Sequence, residues 1–146
     1  MPQPDWYNVG LKLFITRGDT VLGLTDPESG NLDLPGGRIN GDELRAPFER
    51  IIAMEVKEEL GPGFKYGLSH PLLPVAAFRI HKPERKLKVF LVGFHARWLS
   101  GEPVISYEHS AFEWVPVAEL QGRMKNGGFA DGARQFREWF ARDFRK

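Results

Sequence analysis

Three glutamates, Glu55, Glu58 and Glu59, stand at i, i+3 and i+4 in the run Met54-Glu55-Val56-Lys57-Glu58-Glu59-Leu60-Gly61. On a helix this spacing places their carboxylates on one stripe. Carboxylates held together repel one another, and a hard divalent cation relieves the repulsion. Mg²⁺ takes oxygen ligands and is commonly shared between a few carboxylates and substrate phosphates. On these residues alone, a solvated acidic face is the alternative. Upstream lies Gly36-Gly37-Arg38-Ile39-Asn40-Gly41-Asp42-Glu43, read as a glycine-rich loop that lets backbone come close to a ligand. A second constellation is Glu108-His109-Ser110-Ala111-Phe112-Glu113-Trp114. A carboxylate beside an imidazole on a loop can order a water and take its proton. Glu108 is the expected distal carboxylate and His109 the alternative base, against the plainer reading of a surface pair. Arg38, Arg79 and Arg97 are candidates for phosphate, because arginine pairs with it bidentately; solvated charge is the alternative for each. His70, His81 and His95 read as surface or core histidines. Phe78, Phe90, Phe94 and Trp98 could stack a base but read first as strand residues of the core.

These side chains need elements to carry them. Phe48, Ile52, Val56 and Leu60 recur every four residues, an apolar helical stripe beside the glutamates. Pro47 suits the helix start, and Gly61 with Pro62 stops it. Val9 to Thr16 alternates apolar and polar residues and reads as a strand, with Val21 to Leu24 returning after the turn Arg17-Gly18-Asp19. Leu32-Asp33-Leu34-Pro35 leads into the glycines. The segment from Pro62 to Pro74 is read as a loop with at most a short strand. Val75 to His81 and Leu87 to Trp98 form a hairpin across Lys82-Pro83-Glu84-Arg85-Lys86. Phe112 to Val117 is a short strand, Ala118 to Leu120 a helical turn, and Gly122 to Gly128 a loop. Asp131 to Phe144 is a closing helix with Ala133, Phe136, Phe140 and Phe144 on one face. Strands in hairpin and crossover relation, with a helix in the middle and one at the end, predict a mixed sheet covered on both faces, α/β or α+β.

Composition excludes whole classes of function. The chain has 146 residues, and 1–146 reads as one domain. The formal net charge of +1 gives no electrostatic case for nucleic-acid binding. With no cysteine, disulfides, thiolate catalysis and cysteine zinc sites are ruled out. No apolar run is long enough for a membrane span and no secretory signal opens the chain, so the expected location is cytoplasmic and no membrane partner is expected. A homodimer is left open.

The stretch from Leu34 to Gly61 resembles the Nudix hydrolase signature, G-x5-E-x7-R-E-U-x-E-E-x-G-U with U aliphatic. Gly37-x5-Glu43 matches its first part, and Glu55-Val56-Lys57-Glu58-Glu59-Leu60-Gly61 matches E-U-x-E-E-x-G. Three features depart: the gap after Glu43 is three residues longer, Met54 stands in place of the arginine, and Pro62 in place of an aliphatic residue. Arg50 lies one turn before Met54, and helical side chains lean toward the N-terminus. An Arg50–Glu43 pair is therefore expected as a substitute clamp on the loop, with two unpaired surface charges as the alternative.

The resemblance implies a three-layer α/β/α sandwich with a mixed sheet. It also implies MutT-like, metal-dependent hydrolysis of a nucleoside diphosphate linked to another moiety. Glu55, Glu59 and the Gly36 carbonyl would hold Mg²⁺ or Mn²⁺, with Glu58 assisting. The metal would neutralise the diphosphate and lower the pKa of a water that attacks phosphorus. The element from Glu108 to Trp114 is similar to one in the family whose acidic residue or histidine reaches the metal site from across the cleft. Two other outcomes stay open. The stretch from Pro35 to Arg50 is also similar to the GDP-mannose hydrolase branch, where a histidine is the base and attack falls on sugar carbon, although that branch lacks part of the glutamate set present here. The altered spacing and Met54 would also fit a Nudix module that binds a nucleotide with little turnover.

Overall fold

A strand covered on both faces needs a nearly unbroken run of residues that accept burial, and the chain supplies one early. In the computed structural model, which describes residues 1–144, β1 (Asn8–Arg17) is buried from Gly10 to Thr16. Leu11, Leu13 and Ile15 face one layer and Phe14 the other. The alternation with Lys12 and Thr16 does not mark a wet face, since both are buried.

β7 (Leu87–Ser100) runs parallel to β1, from Asn8↔Val89 to Thr16↔Arg97. The other edge of β1 is divided. β4 (Gly36–Arg38) pairs antiparallel with Gly10 to Lys12, and β2 (Thr20–Thr25) pairs only at Thr16 and Arg17. β2 then parts from β1 and takes up β3 (Leu32–Asp33), while β8 (Ala111–Pro116) lines its opposite edge. Residues 32–38 therefore fill the splay between two central strands. The expected glycine loop is thus partly strand, because Gly36 and Gly37 lie close against β1: a Cβ on Gly36 would stand 2.0 Å from the Leu11 carbonyl oxygen. The far edge of β7 is shared by β6 (Pro74–Lys82) and β5 (Lys65–Leu68), completing a mixed eight-stranded sheet.

One face of the sheet is covered by α1 (Phe48–Leu60), which buries Ile51, Ile52, Val56 and Leu60 against Leu11, Leu13, Ile15 and Phe94. Phe48, counted in the expected stripe, stays partly exposed. Pro47 precedes the first turn as expected, and Gly61 closes the helix at φ 87° with its N–H donating to the Lys57 carbonyl. The short α2 (Val117–Arg123) follows β8 directly. α3 (Gly127–Trp139) and the π-helical turn after it, Phe140–Phe144, cover the opposite face with Phe129, Ala133, Phe136 and Phe140. This helix starts four residues before the expected Asp131. Asn126 caps it, its side chain accepting the Gly128 N–H at 2.9 Å. Two apolar clusters, one on each side of the sheet, make the three-layer α/β/α sandwich.

α3 also closes a strand edge. The Gln135 amide donates to the Ala77 carbonyl at 2.8 Å and accepts the Ala77 N–H at 2.9 Å. Gly128 lies so close that a Cβ there would stand 1.9 Å from the Arg79 carbonyl oxygen.

On the same face His95 is buried beneath Trp139 and Phe144, ring centroids 5.0 and 4.7 Å away, with its Nε2 2.7 Å from Thr16 Oγ1. Burial, and then the charge of Arg97, pushes its pKa down to about 4. The unfolded chain takes up this proton near 6.5 and the folded chain does not. Stability therefore falls as pH drops from about 6.5 to 4, by about 2 kcal/mol after allowance for partial solvent screening. His95→Gln is expected to flatten that part of the stability profile in urea unfolding, and an unchanged slope would remove His95 as its source.

Candidate active site

Position 59 is where helix and strand meet. α1 lies over β4, and the buried Glu59 turns its Oε1 to the Gly36 N–H at 2.7 Å. Glu55, one turn earlier and half-buried, lies so close to Gly37 that a Cβ there would stand 2.7 Å from its carboxylate. The glycine pair is thus required by two separate approaches, β1 on one side and the helix glutamates on the other. Gly37→Ala is expected to displace the Glu55 side chain and weaken divalent-cation binding about ten-fold, with little change in melting temperature. Titration calorimetry checks this, and wild-type affinity would mean that Glu55 is not a ligand.

The electrostatics leave this cluster short of positive charge. Burial raises Glu59 to about 7, against the pull of Lys12, the Gly36 N–H and His109. Glu55 is also raised, first by burial and then by the negative charges of Glu58, Glu108 and Glu43, with Lys12 opposing. Glu58 is exposed at the outer side of the helix.

His109 is buried and faces the cluster from the loop before β8. Its Nε2 lies 3.5 Å from Asp33 Oδ2 and its Nδ1 3.8 Å from Glu59 Oε2. That Nδ1 is buried and has no hydrogen-bond partner. Lys12 Nζ lies 3.2 Å from Asp33 Oδ1 and donates to the Leu34 carbonyl at 3.0 Å. Burial alone would raise the Asp33 carboxyl; the Lys12 charge, His109 and the Leu34 N–H outweigh it and hold Asp33 down at about 2.

These groups border a cavity of about 630 Å³. Lys12, Asp33, Gly36, Gly37, Glu59 and His109 lie on its inner side, with Arg38 and the exposed Glu108 toward solvent. Ile80, Leu91 and Phe129 give it an apolar wall, and His81, Lys82 and Arg85 line the hairpin side. A second cavity of about 710 Å³ lies beside β5, lined by Val56, Phe64, Tyr66 and Leu68, and holds none of the glutamates at 55, 58 and 59.

Two expected phosphate ligands fall elsewhere, and one expected pair does not form. Arg79 is exposed on β6 and its charge is felt by Asp131 of α3, while Arg97 packs its guanidinium 4.8 Å over the Phe144 ring. Neither borders the glutamate cavity: Arg79 alternates with Ile80, which does line it, and Arg97 lies farther along β7 than Leu87, Val89 and Leu91, which line it. The Arg50–Glu43 clamp is not formed. Glu43 instead accepts the Asn40 N–H at 2.7 Å within its own 3-10 turn, and Arg50 is exposed with no ion pair among the described residues.

Lys12 and Asp33 were not singled out from the sequence. The available signal was a lone lysine inside an apolar strand run, and an aspartate between two leucines just ahead of the glycine pair.

A divalent cation fits the donors present: two glutamates with raised pKa and one orphaned imidazole nitrogen facing one of them. Among the described residues no three acidic or histidine side chains already converge as a ligand set, so the glutamates would have to close upon the ion.

No family model and no curated protein matches the sequence. Solved structures do. A MutT protein from Methanosarcina mazei Go1 is 26% identical over 96% of each chain, with a TM-score of 0.72. A MutT NUDIX hydrolase from Burkholderia pseudomallei is 24% identical over 78% of this chain and 86% of its own, with a TM-score of 0.62. The chain has the Nudix fold. An ADP-ribose pyrophosphatase from Streptococcus suis shares that fold at 21% identity and a TM-score of 0.61, over 88% of this chain and 86% of its own. The Nudix resemblance carried by Gly37 to Gly61 is therefore matched across the whole sheet and both helical layers. No helix among the described residues is long and apolar enough to cross a membrane.

Proposed function

We propose that this Nudix-fold protein is a divalent-metal-dependent pyrophosphohydrolase acting on a nucleoside diphosphate linked to another moiety. The observation that carries the reading is the pair Glu55 and Glu59 pressed against Gly37 and Gly36, with Glu59 and both glycines on the cavity wall and both carboxylates pushed above their usual range. Glu55 and Glu59 would hold Mg²⁺ or Mn²⁺, with Glu58 at the outer edge. A bound divalent ion supplies charge neutralisation for the diphosphate and lowers the pKa of a coordinated water. The chain's own residues do the positioning. Lys12 and Arg38 offer positive charge to phosphate oxygens at opposite depths of the cavity, and its apolar wall gives a flat group a dry surface. Glu108, with His109 as the alternative, would take a proton.

The buried His109 keeps the second reading in play, in which a histidine is the base and attack falls on sugar carbon. A hydrolysis screen over nucleoside triphosphates, nucleotide sugars, ADP-ribose and dinucleoside polyphosphates, with and without Mg²⁺ or Mn²⁺, tests the proposal. Metal-dependent release of a phosphate-containing product is expected, and no turnover of any substrate with either ion would overturn it. Running the active substrate in ¹⁸O-labelled water separates the two readings, because phosphorus attack puts the label in phosphate and carbon attack puts it in the sugar.

A further inference from the structure

We propose that Lys12 and Asp33 are positioning residues for His109, holding its ring so that Nδ1 serves as a nitrogen ligand to the cation at Glu59. The inference rests on the metal-dependent reading above; it makes His109 a ligand in place of a base, leaves the proton to Glu108, and adds the pair that aims the ring.

Asp33 is fixed from three sides. Its Oδ1 meets Lys12 Nζ at 3.2 Å and accepts the Leu34 N–H at 2.7 Å, and its Oδ2 faces His109 Nε2 at 3.5 Å. Lys12 is itself anchored, donating to the Leu34 carbonyl from a strand position that pairs with Gly36. With Nε2 turned to Asp33, the ring must present Nδ1 to Glu59. Nδ1 and Glu59 Oε2 stand 3.8 Å apart, too far for a hydrogen bond. The His109 side chain is only 6% exposed, so solvent does not serve Nδ1 freely, and Nδ1 has no hydrogen-bond partner. Two electron-pair donors this close, with no hydrogen bond between them, would suit a shared cation. A metal-binding histidine commonly gives its other ring nitrogen to a carboxylate, which fixes the tautomer and the ring. Asp33 occupies that place, and Lys12 holds Asp33. Imidazole suits transition ions better than Mg²⁺, so the arrangement favours Mn²⁺ over Mg²⁺.

The test uses Mn²⁺ as the probe with the full chain. Pulsed electron paramagnetic resonance of the Mn²⁺-loaded protein is expected to show coupling to a directly bound nitrogen, absent in His109→Ala. Asp33→Asn keeps the side-chain shape and removes the charge; it is expected to weaken Mn²⁺ binding about ten-fold or more and to reduce the nitrogen coupling. Lys12→Met is expected to do the same, with Lys12→Arg restoring part of the coupling; circular dichroism identifies any variant that has not folded. Mn²⁺ bound at Glu59 without nitrogen coupling would overturn this inference, with a water bridging Nδ1 and Glu59 instead, and would leave the hydrolase reading standing. Mn²⁺ and Mg²⁺ both failing to bind would overturn both.

Discussion

Glu59→Gln is expected to lower metal-dependent turnover about a hundred-fold or more while raising the melting temperature of the metal-free protein at about pH 8. The two effects have one cause. Glu59 is buried, and its carboxyl is raised to about 7. A folded-state pKa above the ordinary value means that stability is fully present below about 4.5 and is lost as pH rises through 7. The charged form therefore burdens the metal-free fold by about 3 kcal/mol at the upper end of this window. Glutamine keeps the shape and an oxygen for the Gly36 N–H, and removes the charge. A gain of about 2 kcal/mol, or roughly 5 °C, is expected at about pH 8 and should vanish near pH 4. Added Mn²⁺ should stabilise the wild type and not the variant, because an ion that binds only the native state raises its stability by mass action. Calorimetry at both pH values with and without metal, together with turnover at limiting Mg²⁺, measures all of this. Wild-type turnover in the variant would remove Glu59 from the site.

The second large effect is expected from Lys12→Met, a loss of about 3 kcal/mol in folding stability. Removing one member of a largely buried ion pair leaves the other charged and poorly compensated, which is more damaging than removing both. Asp33 would keep the Leu34 N–H and His109 but lose the strongest charge that holds it down. Lys12 is also the strongest single influence opposing the rise at Glu59, so its loss should drive Glu59 further toward the neutral acid. The double variant Lys12→Met, Asp33→Asn should regain at least half of the lost stability in urea unfolding. A single variant within about 0.5 kcal/mol of wild type would mean that solvent already screens the pair.

How much of this was legible in the sequence depends on what each pattern encodes. The glutamate spacing and the helix stop at Gly61 encode α1 locally, and the hairpin about Pro83 encodes β6 and β7. All were readable because each depends on neighbours within a few residues. The glycine pair was read as loop because glycine signals freedom; that Gly36 and Gly37 pair with Lys12 and Leu11 depends on strand register some twenty-five residues away. Lys12 and Asp33 were hidden for the same reason. A lysine between two leucines in a strand is ordinarily placed on a wet face, and only the second helical layer makes that face dry. Arg79 and Arg97 lost the cavity because strand position alone does not say which face or which end of a sheet a cleft occupies. Arg50 lost its clamp because Glu43 has a nearer partner in the backbone of Asn40.

The contact between Gln135 and Ala77 limits what position 135 can be. A strand edge offers another chain a ready template of unpaired N–H and C=O groups, and here one side chain occupies one of each. The residue must bring a donor and an acceptor together, in that order, at that reach. Glutamate would bring acceptors alone and face the Ala77 carbonyl with a like charge, lysine would bring donors alone, and asparagine would fall a methylene short. Position 135 thus withdraws one N–H and one C=O of β6 from pairing with another strand, although it lies on a helix and contributes little to the apolar core.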